Sequence, residues 1–251
     1  MATKTQPKEE VIKKEPEPLV TDQVPDYLKG TGAGNENVTA KDLTIPRLQI
    51  IQDLSPELDA DNAERFIVEA VKGNIFNTLT RDCFDSVKVV NVFYRMEYNV
   101  FVDRKRGGGF RGTYQNMPDA VAAVNAADHP EDLQIIDTGV HFVLILDDAG
   151  NPVGEAAIPM KSTQLKVSRN WNSLIRMRGD NLDRWAGVWQ LATIKQKNDK
   201  GNYHNFNVSP AGWISQQGLG IAKRFYEAIV GGKKDIDRNE MHDDVREEEA
   251  F

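Results

Sequence analysis

Hydrophobic positions along this chain crowd into blocks, and the spacing within a block tells strand from helix. Residues 87–102 concentrate Val89, Val90, Val92, Phe93, Tyr94, Tyr98, Val100 and Phe101, a β-branched and aromatic run that predicts one curved strand or two joined by a bulge. Residues 133–146 read as strand as well, and Asp147-Asp148-Ala149-Gly150-Asn151-Pro152 is a turn into a further strand over 153–158. Residues 188–197 and 203–208 flank Asn198-Asp199-Lys200-Gly201-Asn202, which predicts a second hairpin. Order begins near Leu43-Thr44-Ile45-Pro46-Arg47-Leu48, which leads into an apolar stretch through Leu54.

Three segments carry helical signals. Residues 118–127 open on Pro-Asp and are alanine-rich. Ser162 is an N-cap for a helix to about Arg178, with Trp171, Leu174 and Ile175 facing inward. On another face of the same helix Lys166, Arg169 and Arg176 recur at spacings of three and seven. Ser209-Pro210 reads as cap and first residue of a helix ending at Gly231-Gly232, with Ile214, Ile221, Phe225, Ala228 and Ile229 as its core stripe. Short strands joined by hairpins, with helices interposed, predict a mainly β, α+β fold: a small antiparallel barrel or sheet with helical insertions. No repeat of 20–50 residues is visible.

Charge divides the chain into three parts. Residues 1–37 are rich in Lys, Glu and Pro and then Gly, with 5 basic and 7 acidic residues; this composition predicts a disordered arm. Residues 235–251 hold eight carboxylates against two arginines and end on Phe251; such a run predicts a solvated acidic tail. The body, 38–234, keeps 24 basic and 23 acidic residues, so the formal charge of −7 resides in the ends. The one cysteine, Cys83, excludes an intramolecular disulfide and fits a reducing cytosol. No signal peptide is legible, and apolar runs such as 142–146 are too short to span a bilayer, so the expectation is a soluble cytoplasmic protein with no membrane contact.

Signatures of catalysis and of metal or cofactor binding are not legible. His129, His141, His204 and His242 fall at no metal-ligand spacing, and Cys83 has no partner cysteine. The glycines after Lys29 lack the Gly-Lys-Ser/Thr ending of a phosphate loop, and no Gly-x-Ser-x-Gly elbow is present. The expectation is a non-enzyme without metal or cofactor. Its basic residues suggest binding instead. A first block carries Lys88, Arg95, Tyr98, Arg104, Lys105, Arg106, Phe110, Arg111 and Tyr114, with the triplet Gly107-Gly108-Gly109 predicting a mobile, positive loop. A second, 161–200, holds nine basic residues against three acids and carries Lys161, Lys166, Arg169, Arg176, Arg178, Lys195 and Lys197, with Arg184 among them. Most of Trp171, Trp185, Trp189 and Trp213 are expected in the core. Cations that follow phosphates and aromatics that stack on bases suit single-stranded nucleic acid. No helix-turn-helix or zinc-finger pattern for duplex readout is present.

The ending Asp243-Asp244-Val245-Arg246-Glu247-Glu248-Glu249-Ala250-Phe251, together with the aromatic stretch 87–114, resembles the single-stranded DNA-binding proteins of tailed bacteriophages. The resemblance implies an OB-fold-like antiparallel barrel with helical insertions and disordered termini. It also implies action in phage replication, recombination and repair inside the infected cell. Asp243, Asp244, Glu247, Glu248, Glu249 and Phe251 would then shield the DNA groove and recruit the phage polymerase, helicase or other replication proteins, and a homodimer stays open. The chain departs from that pattern in its arm, 1–37, and in its lack of a long linker before the tail. Three rivals are a strand-annealing recombinase, a virion or scaffolding protein, and a nuclease built on Asp137, Glu155 and Lys161.

Overall fold

The structure is a computed structural model, and it describes residues 33–39, 42–198 and 201–236. Nine strands and three helices form among the described residues. Strands β1 (Leu48–Ile50), β2 (Ile75–Asn77) and β3 (Cys83–Phe84) make a small antiparallel sheet. The larger sheet contains β4 (Ser86–Val102), β5 (Phe110–Tyr114), β6 (Leu133–Leu146), β7 (Pro152–Lys161), β8 (Gly187–Asn198) and β9 (Gly201–Trp213). Its order is β7-β6-β4-β8-β9, with β5 pairing the far part of the side of β4 that β8 also uses. All these pairings are antiparallel.

The centre of the sheet is buried on both faces. One face presents Val87, Val89, Val143, Ile145 and Ile158 to Trp171 of helix α2 (Gln164–Met177) and to Leu48, Ile50 and Ile75 of the small sheet. The other presents Val90, Val92, Phe142 and Leu144 to Ala222, Phe225 and Ile229 of helix α3 (Gln216–Val230). A bulge at Val92 re-phases β4, so Asn91 pairs Val143 while Phe93 pairs Phe142. Helix α1 (Met117–Asn125) is capped by Asn116, whose side chain accepts from the Asp119 N–H, and packs on β4, β5 and β6. The small sheet is pinned by Gln52, which donates to the His204 carbonyl (2.8 Å) and accepts from the His204 N–H (2.9 Å).

The expected antiparallel barrel is corrected: among the described residues the sheets are open. The physical reason lies in β6, where every residue from Thr138 to Leu146 is buried. A strand buried on both faces belongs to a layer covered on both sides, whereas a small closed barrel turns alternate side chains outward. A second correction concerns Ser209-Pro210, which lie in β9 and not at a helix start. Among the described residues only β8 pairs with β9, and a register shift sets Pro210 opposite Trp189 and Gly212 opposite Val188. An edge strand tolerates the missing N–H of proline. The helix starts later, where the Ser215 side chain accepts from the Gly218 N–H (3.1 Å).

The end of the body also differs from expectation. Ile236 is buried and bridges Ile45, and Asp235 pairs with Arg95, so both residues belong to the folded body and not to the tail. Residues 237–251, with Asp243, Asp244, Glu247, Glu248, Glu249 and Phe251, and residues 1–32 of the arm lie outside the described residues. Contacts divide the chain into Met1–Val38 and Thr39–Phe251. Within the first unit the described residues make local turns, such as Val38 N–H to Asn35 O (3.1 Å). Among the described residues no helix is long and apolar enough to cross a membrane.

Candidate nucleic-acid interface

The first basic block divides between inward and outward side chains. Lys88 is half-buried and its Nζ donates to the Asp148 carbonyl (3.3 Å). Arg95 is committed inward: Nε donates to Glu97 Oε1 (2.6 Å), Nη2 to Asp235 Oδ1 (2.5 Å), and the guanidinium lies 5.0 Å from the Phe142 ring centre. These contacts hold within the body the guanidinium that was expected to meet DNA. Phe110 packs edge-on against buried Phe101, and Tyr98 stands half-buried directly opposite Tyr114 across β4 and β5. Lys105, Arg106 and Arg111 are exposed, and Arg106 reaches Asp132 at 3.1 Å. The Arg104 side chain lies outside the described set.

The loop between β4 and β5 is a bonded turn. Gly107, Gly108 and Gly109 all take positive φ (103°, 67° and 118°), which glycine adopts without steric cost. Val102 N–H donates to Gly109 O (2.8 Å), and Lys105 N–H donates to Asp103 Oδ1 (2.8 Å). Asp103 and Asp132 sit within this end of the sheet and dilute its positive charge, and Asp132 comes from outside the stretch between Lys88 and Arg111.

The second block is more coherent. Lys166 and Arg169 are exposed on α2, and Arg176, 85% exposed, pairs loosely with Asp180 (3.4 Å). Lys195 and Lys197 are exposed on β8, opposite His204 and Asn202. Lys161 is half-buried at the end of β7, opposite Thr138. Arg178 faces inward: its Nη2 donates to Gly212 O (2.8 Å), and its guanidinium stacks on Trp213 at 3.9 Å. Trp171 and Trp189 are core residues as expected, whereas Trp213 is exposed.

These positions do not form one continuous groove. Ser86 pairs with Ala192, so Lys195 and Lys197 extend past one end of β4, while Lys105 and Arg106 follow Val102 at the other. The strand between them spans about 50 Å at roughly 3.3 Å per residue. Helix α2 crosses the middle, from Ser168 beside His141 to Arg178 beside Val188. Helix α2 brings together three exposed cations, Lys166, Arg169 and Arg176.

Beneath α2 lies a polar network that the sequence did not reveal. His141 is fully buried, stacked on Trp171 (4.6 Å between ring centres) and close to Tyr94 (4.9 Å). Gly139 allows the approach, since a Cβ there would stand 2.7 Å from Ser168 Oγ. Arg184 donates to Asn91 Oδ1 (2.7 Å) and Asn172 Oδ1 (2.6 Å). That contact orients the Asn91 amide so that its Nδ2 donates to His141 Nδ1 (2.9 Å). Nδ1 is therefore the acceptor, and the proton on Nε2 is donated to Ser168 Oγ (2.8 Å). A histidine in that tautomer offers no lone pair to the serine, so the pair is not an activated nucleophile. Burial, then the Arg184 charge, holds the imidazole well below its usual range. Burial also lowers Arg184, to about 10.

Other chemistry is sparse among the described residues. Glu155 pairs with Lys234 (2.5 Å) and sits opposite Leu144, seven residues along β6 from Asp137, so the acids of the nuclease reading stand apart. His129, Glu131 and Asp132 bring ligand atoms within 4.8 Å of one another on the surface, where Asp132 already meets Arg106. Burial, then the Asp82 charge, raises the Cys83 thiol.

The fold thus defines a mainly antiparallel α+β protein with a two-sided sheet and a cationic helix on one face. Residues 13–235 match the sequence profile of the Pam3 phage gp34-like protein family, and the chain belongs to that family, a group of bacteriophage proteins. No curated protein matches the chain, and no solved structure does.

Proposed function

We propose that this phage protein binds single-stranded DNA without enzymatic activity, in replication, recombination and repair within the infected cell. The observation that carries the reading is the outward face of α2, where Lys166, Arg169 and Arg176 form a cationic stripe while Trp171 anchors the opposite face in the core. Arg111 on β5, with Lys105 in the turn before it and the half-buried Tyr98 and Tyr114 farther along the same strand pair, supplies a second, smaller surface. Cations on a fixed scaffold suit a sequence-tolerant contact with phosphates. The proposal needs no closed barrel. The acidic tail, with Glu247, Glu248, Glu249 and Phe251, competes for the cationic surface and recruits replication proteins such as the polymerase or helicase.

Titration of labelled oligo(dT) and of a matched duplex across a salt series tests the reading. The single strand is expected to bind more tightly, with affinity falling steeply as salt rises. Joint replacement Lys166→Ala and Arg169→Ala should lower the salt slope by about one for each phosphate that is no longer neutralised. Equal affinity for both nucleic acids, or none at low salt, rejects the proposal. Truncation after Ile236 removes the tail without disturbing the Arg95–Asp235 pair and should tighten DNA binding.

A further inference from the structure

The exposed indole at the end of β9 has no role in the core. Trp213 lies opposite Gly187, so no cross-strand side chain covers it, and 59% of its surface is exposed. One side of the ring is covered by Arg178, whose guanidinium carbon stands 3.9 Å from the ring centre. Arg178 is itself held by the Gly212 carbonyl (2.8 Å) and the Val188 carbonyl (3.4 Å), and it lies 5.2 Å from the buried Trp189 ring. Gly187 leaves room for it, since a Cβ at that position would stand 2.8 Å from Arg178 Nη1. The indole is therefore a plate backed by an immobilised cation and more than half exposed.

We propose that Trp213 is a stacking platform for an unpaired nucleobase of single-stranded DNA, an inference that rests on the function proposed above and names a base contact within it. Arg178 ends the helix that carries Lys166, Arg169 and Arg176. Arg178 itself turns inward from the opposite side of the helix, and along the axis it lies about 18 Å from Lys166 at 1.5 Å per residue, so the outward cations and the indole are separated by about the length of the helix. The charge along it complements a polyanion. A single strand offers free base faces to a ring at its end, whereas a duplex keeps those faces stacked. Phosphate contact on the helix and base contact on the indole are then two separable parts of one site.

The test uses the full-length protein, oligo(dT), and an abasic oligomer of the same length that keeps the phosphates and lacks the bases. Trp213→Ala should weaken oligo(dT) binding roughly 5- to 150-fold, the range for removing one base stack, and leave abasic binding unchanged. Trp213→Phe should restore part of the affinity. Urea midpoints for each variant check that the fold is kept. Unchanged oligo(dT) affinity in Trp213→Ala, with wild-type binding intact, overturns the platform and leaves the proposed function standing. An equal weakening for both oligomers also overturns it, because the indole would then act through the fold or the charge. No binding of oligo(dT) by the wild type overturns the platform together with the function on which it rests.

Discussion

Arg95 and Arg184 sit on opposite faces of one sheet, and the protein accommodates their charges in different ways. Arg95 lies between two carboxylates, with Glu97 wholly buried and Asp235 drawn in from the end of the body. Arg184 is surrounded by neutral groups: two asparagine oxygens, a histidine nitrogen and, 5.4 Å away, the Tyr94 ring. A cation opposite a buried carboxylate is needed chiefly because its removal strands the partner charge. A cation among amides is needed because it orients them, and here that orientation sets the His141 tautomer. Both arginines come from segments rich in cations, and both make their hydrogen bonds within the body.

The sharpest way to break this comparison is Arg95→Met, which removes a cation that donates to the buried Glu97 carboxylate at 2.6 Å. It should cost about 3–5 kcal/mol, the range for breaking one side of a buried ion pair, read from urea unfolding midpoints. A change below about 1 kcal/mol would mean that the carboxylate does not depend on the arginine. Arg184→Met should cost less, about 1–3 kcal/mol, because it leaves amide oxygens without donors but strands no opposite charge. The smallest effect is expected from pH. His141 titrates lower in the folded protein than in the unfolded chain, so the unfolded chain binds more protons as pH falls below about 6.5. The stability that depends on the neutral imidazole is complete above that pH and declines below it, by at most about 1.4 kcal/mol per pH unit. In His141→Gln this part of the slope should vanish even though the variant is less stable throughout. An identical slope in both proteins would remove His141 as its source.

Much of the fold was legible in local pattern. Residues 133–146 were read with the bounds that β6 has, and residues 87–102 fall one short of β4, bulge included. Trp171, Leu174 and Ile175 faced inward as their helical spacing required. Barrel closure was misread, although Gly139 to Leu146 carries the evidence: an almost unbroken apolar run with one histidine, which indicates burial on both faces. Ser209-Pro210 failed for another reason. Those two residues read the same way in a helix cap and on an edge strand, and only the pairing of β9 with β8 separates the cases. At the candidate interface, the outward face of α2 followed from periodicity, whereas the commitment of Arg95 and Arg178 did not. Their partners Asp235 and Gly212 lie 140 and 34 residues away along the chain.

By itself, then, the sequence determined five of the nine described strands (β4, β6, β7, β8 and β9), the three helices apart from the start of α3, the charge on the outer face of α2 and the acidic composition of the end. Those properties depend on residue type and near-neighbour spacing, which the chain states directly. Tertiary structure alone decided that the sheet stays open, that Ile236 belongs to the body, that His141 donates to Ser168, and that Trp213 is left exposed over Arg178. Each of these depends on which distant segments meet, and burial and hydrogen-bond satisfaction settle that only when the whole chain is packed.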